Sequence, residues 1–566
     1  MKKTVLSALA VVALLLAPKL APAQEGAAAD SKTLVTVAFS GYGELLADIE
    51  FIGAVSGNPQ LKEMVEGALQ QSPAGPALAG LDTTRPWGFV VQGGADEFPM
   101  FGFIPVTDLG KMLSAAEPMI GKPTLAGDGV LEIVADDQSF YLKEKEGGWA
   151  FFARTPDALA DTPADPTQAL GGLHERYDLA VQVNVANVPP MLRQMAMAPI
   201  QMGMQVGMRR LPDETDEQYA LRQKAAQQGM QQFQQMLDEL DTLIVGFSID
   251  RTASTASLEY EITALEGTKA AEQMAQTTEG PSDFAGFVLP EAAVTLNAVS
   301  KISQSDVDRA KTSLAPIRGN AVKELQKQGL AGAELQRAEK LVNDLFAVLD
   351  TMLESGKVDV GLSLVLDPDA LTYVSGMKVG DTTRLDSLVK ELTNQLIREQ
   401  PDLAGVIKLD AAEHEGVRFH VVSVPTAGMA ADLPNLPQLV GPSLDVVVGI
   451  GAENAYLAAG RNALDTLKQA IDQSKAQAGQ TVLPVRLTLS ATPIAKFAAL
   501  VARDEQVKGI ATMVGHMLEQ AGEKDHLTMT STPIPRGVKV RVELEEGLLK
   551  VIGSAPMMMG GPGAER

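Results

Sequence analysis

The sequence predicts an α+β protein made of two homologous halves, about 24–280 and 286–555. Each half holds two strand–helix–strand–strand–helix units around a β-rich insert, with antiparallel or mixed sheets covered by helices. Three observations predict it. The strand segments alternate apolar and polar residues instead of running continuously apolar, which marks sheets with one covered face. One order of elements recurs four times. The two inserts also end alike: Ala150-Phe151-Phe152-Ala153-Arg154 leads to Ala158-Leu159, and Ala455-Tyr456-Leu457-Ala458 leads to Arg461 and Ala463-Leu464.

The first unit opens with a strand over 34–39, continues as helical text to Gln70, pairs 87–92 with 98–104, and closes with a helix from Thr107-Asp108. The second opens at 177–185, where Leu179, Val181, Val183 and Val185 alternate with Ala180, Gln182 and Asn184. Pro189-Pro190 then starts a long helical stretch, and 243–249 with 258–262 forms the hairpin. The third runs from a strand at 293–299 through two long helices to a hairpin of 358–366 and 371–379. Asp367-Pro368-Asp369 supplies its turn. Asp381 is placed as N-cap of the next helix, whose Leu385, Leu388, Val389, Leu392 and Leu396 follow helical spacing. The fourth begins at 483–489 and ends where Val538, Val540, Val542 and Leu544 alternate with Lys539, Arg541, Glu543 and Glu545. The inserts are read as strands at 130–134, 140–143 and 149–152, and at 417–424, 446–450 and 455–458.

Residues 1–23 read as a signal peptide: Lys2 and Lys3, a short apolar run, then Ala21-Pro22-Ala23 as the cleavage pattern. The expected location is therefore periplasmic or extracellular, with residues 556–566 as a flexible tail. No later run is apolar enough for a transmembrane segment, and no cysteine is present for a lipid anchor or a disulfide. The formal charge is −24, which argues against nucleic acid or anionic lipid as the main partner because phosphates are repelled.

No motif completes a catalytic or cofactor site. Gly449-Ile450-Gly451 lacks the third glycine of a dinucleotide loop and reads as a tight turn. His414-Glu415 followed by His420 has a spacing of six on strand-like text, where zinc hydrolases need one helical turn, so a structural role is expected. Ser387-Leu388-Val389-Lys390 lacks the partner motifs of a Ser-Lys hydrolase. Asp136-Asp137 and Asp367/Asp369 fit turns. No metal and no cofactor is expected.

The candidate ligand-binding residues are Met191, Met195, Met202, Met204 and Met208, in a cluster with Met197 and, further on, Met230 and Met236. Thioethers suit Cu(I), but no His or Cys accompanies them, and packing in a core or adaptable groove is the favoured reading. This stretch reads as a helical hairpin, with a comparable pair at 304–328 and 331–354.

Tyr177-Asp178-Leu179-Ala180-Val181 with Asn184-Val185 and Pro189, preceded by Gly148-Trp149-Ala150-Phe151 and followed by Phe287-Val288-Leu289-Pro290, resembles a group of uncharacterised exported bacterial proteins of similar length. The resemblance implies a compartment and a repeat layout and supplies no catalytic residue. The expected function is a non-enzymatic exported binding or structural protein of the cell envelope, with a protein or envelope component as partner. The alternatives are a carrier of lipid or another apolar ligand in a Met-rich helical groove, and an extracytoplasmic hydrolase built from scattered carboxylates.

Overall fold

The computed structural model describes residues 32–71, 75–93, 98–135, 138–160, 162–210, 215–327, 331–428, 435–522 and 524–559. The expected signal peptide and residues 560–566 of the expected tail lie outside them.

The alternating segments pair into one sheet of twenty strands. In chain order the first ten are β1 (Lys32–Phe39), β2 (Trp87–Gly93), β3 (Met100–Pro105), β4 (Thr124–Gly127), β5 (Val130–Ala135), β6 (Gln138–Lys145), β7 (Trp149–Ala153), β8 (Leu179–Asn184), β9 (Leu240–Asp250) and β10 (Thr255–Ala264). The second ten are β11 (Val294–Lys301), β12 (Lys357–Asp367), β13 (Ala370–Lys378), β14 (Ile407–His414), β15 (Val417–Pro425), β16 (Ser443–Ile450), β17 (Asn454–Gly460), β18 (Val485–Ser490), β19 (His526–Ile534) and β20 (Gly537–Glu545).

From edge to centre the first ten run β4-β5-β6-β7-β3-β2-β1-β8-β9-β10. β10 then pairs with β20, and the sheet continues β20-β19-β18-β11-β12-β13-β17-β16-β15-β14. Every one of these pairings is antiparallel, as the alternation demands. β4, β14 and β19 were not foreseen. β4 has four exposed residues, and β14 carries a bulge between Lys408 and Ala412 that breaks its period-two pattern.

Helices fill the connections: α1 (Tyr42–Val55) and α2 (Leu61–Gln70) after β1, α3 (Leu109–Ile120) after β3, α4 (Pro190–Gly207) and α5 (Asp216–Glu239) after β8, and α6 (Lys269–Met274) after β10. In the second ten-strand group they are α7 (Gln304–Lys327), α8 (Gly332–Glu354), α9 (Thr383–Glu399), α10 (Ala463–Ala476), α11 (Ala491–Val501), α12 (Glu505–Glu519) and α13 (Glu546–Met559). Local chemistry sets their starts. The Asp108 carboxylate accepts the Lys111 N–H at 2.8 Å ahead of α3, and Asp504 accepts the N–H groups of Gln506 and Val507 ahead of α12. Asp381 accepts the Thr383 N–H at 2.9 Å, with Thr382 as the residue flanking α9. α13 continues to Met559, past the expected start of the tail. Among the described residues no helix is long and apolar enough to cross a membrane.

Register assigns each side chain to a face, because directly paired residues point the same way and successive residues point opposite ways. One face holds the two closed cores. In the first, Ala38, Phe103, Phe151 and Ala180 lie under Leu159, Leu170, Leu173 and Tyr177 of the segment 157–177. In the second, Val374, Val447, Ala458 and Phe419 lie under Phe284, Phe287 and Leu289 and under Leu467, Ala470 and Ile471 of α10. Glycines make room: a Cβ on Gly376 would stand 2.4 Å from the Phe284 ring, and one on Gly246 would stand 2.4 Å from the Tyr177 ring. The opposite face is closed mainly near one end, where Leu45 of α1 packs with Val37, Phe39 and Phe89, and Met112 and Leu113 of α3 pack with Ile133 and Ala150.

Candidate functional site

Across the ten strands from β8 to β17 in spatial order, this second face stays apolar without being buried. It carries Leu179, Val181 and Val183 on β8, Leu243, Val245 and Phe247 on β9, and Leu258, Tyr260 and Ile262 on β10. Val538, Val540, Val542 and Leu544 follow on β20, and Leu527 and Met529 on β19. Leu487 and Leu489, Val294 and Leu296, then Val360, Leu362 and Leu364 continue the row through β18, β11 and β12. Tyr373 and Met377 on β13 and Leu457 on β17 complete it. None of these side chains belongs to the buried core, and Phe247 (38 %), Tyr260 (36 %), Met377 (38 %) and Leu457 (41 %) are exposed. Between the strand ends this face carries no charged residue. The alternate positions on β10 and β20 are Glu259, Glu261, Lys539, Arg541 and Glu543, all on the other side. α6 and α13 both touch β10 and β20, from opposite ends, because each follows the C-terminal end of one of these two antiparallel strands.

Leaving these medium and large apolar side chains partly wet forfeits on the order of 1 kcal/mol each relative to full burial. A fold able to close two cores on its other face keeps this one open. That is the feature to be explained.

Two charged clusters offer a different chemistry. Asp386 on α9, Asp410 in the β14 bulge and His420 on β15 form the one group of three metal-type ligands within reach of each other among the described residues. The Asp410 backbone N–H donates to His420 Nδ1 at 3.0 Å, which fixes the proton on Nε2, facing Asp386 Oδ1 at 3.3 Å. Arg418 lies 3.1 Å from Asp386, and Lys390 lies 3.3 Å from Asp386 and 3.2 Å from Asp410. Burial works against ionisation of Asp386, but the hydrogen bonds of Lys390 and Arg418 outweigh it and hold the carboxyl below its usual range. Two cations already neutralise the two carboxylates, and both imidazole nitrogens are engaged, so this donor set does not fit a metal ion. The cluster fastens α9 to the β14–β15 hairpin. His414 ends β14 and meets Asp472 at 2.7 Å. Lys390 is spent on Asp386 and Asp410, and the Ser387 hydroxyl donates to the Thr383 carbonyl, so Ser387 and Lys390 form no nucleophile–base pair.

The second cluster lines a polar cleft of about 790 Å³ that includes Arg176, Tyr177, Asp178, Arg251 and Arg541. The Tyr177 hydroxyl donates to Glu259 at 2.9 Å, and Arg541 donates to Glu259 at 2.8 Å and to Glu543 at 2.7 Å. Burial works to raise the Glu259 pKa, but Arg541 and Tyr177 outweigh it and keep it ionised. Beside the cleft, Asp48 of α1 is 5 % exposed, its Oδ1 accepting from Arg251 at 3.2 Å while Oδ2 has no partner. Burial, then the neighbouring Asp178 carboxylate, push Asp48 up to about 7. The arginines here are paired, and the network joins β10 to β20 and α1 to the β9–β10 turn.

Four of the five candidate methionines fall in α4, and Met208 lies one residue past its end. Met191, Met195 and Met202 share one side of the helix and are 67, 59 and 62 % exposed, whereas Met197 is 3 % exposed on another side. Met208 is half-buried, and the Met204 side chain lies outside the described residues. α4 and α5 are tied by Arg193 to Asp238 at 2.8 Å and by Arg222 to the Gly207 carbonyl and the Met208 sulfur. Sequence reasoning placed the apolar groove on these helices and missed the sheet face. The signal was present in the charge-free alternation of β10 and β20. Comparison with protein-family models, with curated proteins and with solved structures gives no match.

Proposed function

We propose that the chain is a non-enzymatic exported carrier of an apolar or amphiphilic ligand, held on the open face of the sheet. One observation carries this reading: ten adjacent strands present aliphatic and aromatic side chains that are neither buried nor interrupted by a charge. Small-molecule sites are apolar, concave and largely pre-formed. The helices at both ends of the central strands suit a chain-shaped ligand better than the flat surface of a folded partner. A hydrolase is disfavoured because the acid–His cluster is neutralised by Lys390 and Arg418. This carrier differs from the one expected from sequence in using the sheet instead of the methionine helices.

The two-homologous-halves reading gains support from the pairing pattern. Each of β11–β20 has the same neighbours in its group as the strand ten places earlier has in the first group. The groups meet at β10 and β20, whose register runs from Thr255 with Glu545 to Thr263 with Gly537. Duplication would thus join two short apolar faces into one long face.

The test is solvent extraction of the mature protein purified without detergent, followed by mass spectrometry of the extract. A stoichiometric amphiphile supports the carrier. Its absence, together with no uptake from added lipid vesicles, removes it.

A further inference from the structure

The exposed apolar side chains of the sheet are not spread evenly. Phe247 and Tyr260 form one patch on β9 and β10, and Val358 (43 %), Met377 and Leu457 form another on β12, β13 and β17. Between them lie β20, β19, β18 and β11, whose apolar side chains on this face are all less exposed than either patch. β10 and β12 are five strand spacings apart, which is about 24 Å at 4.8 Å each. A bilayer hydrocarbon core of about 30 Å holds two acyl chains end to end, so one chain reaches about 15 Å. A single chain seated on one patch therefore cannot reach the other.

Resting on the carrier reading, we infer that the protein holds two diacyl lipid molecules per chain, one on the Phe247–Tyr260 patch and one on the Val358–Met377–Leu457 patch. The ligand chemistry is that of paired hydrocarbon tails: neither patch offers a charged side chain to a head group, so the polar end points away from the sheet. Tails match this face because it is charge-free over its width.

The experiment uses the mature protein loaded with dioleoylphosphatidylcholine, a zwitterionic lipid that the net charge of −24 does not repel, and counted by native mass spectrometry. The wild type should saturate at two lipids per chain. Phe247→Glu and Met377→Glu, both at positions already 38 % exposed and therefore tolerant of charge, should each lower the count to one. The double variant should bind none, with circular dichroism unchanged. Wild-type saturation at any count other than two overturns the inference and leaves the carrier reading standing, as does a single variant that empties both patches or neither. No uptake at all by the wild type overturns the carrier reading itself.

Discussion

Replacing Asp48 by Asn should stabilise the protein at alkaline pH and leave it nearly unchanged in acid. Asp48 sits on α1 with 5 % exposure, one oxygen on Arg251 and the other without a partner, and its pKa is pushed up to about 7 by burial and by Asp178. An unfolded Asp titrates near 3.9, so the folded protein binds this proton more tightly by about 3 pKa units, or on the order of 4 kcal/mol. The sign follows from that order. The stability linked to the proton is fully present below about pH 4 and decays as pH rises through 7. It is gone above that. Asp178 is raised as well, by burial first. Asn keeps the shape, cannot ionise and can donate to Asp178. Urea unfolding at pH 4.5 and at pH 8.5 is the assay. Asp48→Asn should lie within about 1 kcal/mol of the wild type at the lower pH and exceed it by roughly 2–4 kcal/mol at the higher. Equal differences at the two pH values, or a variant weaker at pH 8.5, would refute the reasoning.

Other perturbations have expected sizes. Leu467→Ala removes a fully buried side chain from the α10 core and should cost about 2–5 kcal/mol in denaturant unfolding. Gly376→Ala sets a methyl 2.4 Å from the Phe284 ring and should cost about 1–3 kcal/mol, with the largest chemical-shift changes around Phe284 and Phe287. Asp108→Ala removes the α3 cap and should cost about 1 kcal/mol, read as a lowered melting temperature. Titration calorimetry with zinc should show no site lost in His420→Ala, because Lys390 and Arg418 already occupy the carboxylates.

Much of the architecture was legible in the alternation of residues. The hairpins at 243–262 and 358–379, and the final strand with Val538, Val540, Val542 and Leu544, occur in register as β9–β10, β12–β13 and β20. A strand betrays itself when one face is apolar and the other polar, and these do. β14 hid because its bulge places Asp410 at φ 49 and interrupts the period. The long-range order, with β8 beside β1 and β20 beside β10, lies in pairings that no local pattern encodes. The same limit explains the site. Alternation marks Leu258, Tyr260 and Ile262 as an apolar face, but whether helices cover it is decided by tertiary packing. The methionines of α4 drew attention because of their number, whereas the open face is built from ordinary Val and Leu. The Asp48–Asp178–Arg251 and Glu259–Arg541 groups unite residues 73 or more positions apart, so neither could be read from spacing.

The central claim is that one face of the sheet takes up hydrocarbon while the other does not, and the lack of any cysteine makes this directly measurable. Tyr260→Cys on the open face and Lys539→Cys on the opposite face, each labelled with an environment-sensitive fluorophore, are mixed with zwitterionic dioleoylphosphatidylcholine vesicles. The account predicts a blue shift and loss of quencher access at position 260, with position 539 unchanged. Equal responses at both positions, or none at 260, contradict it.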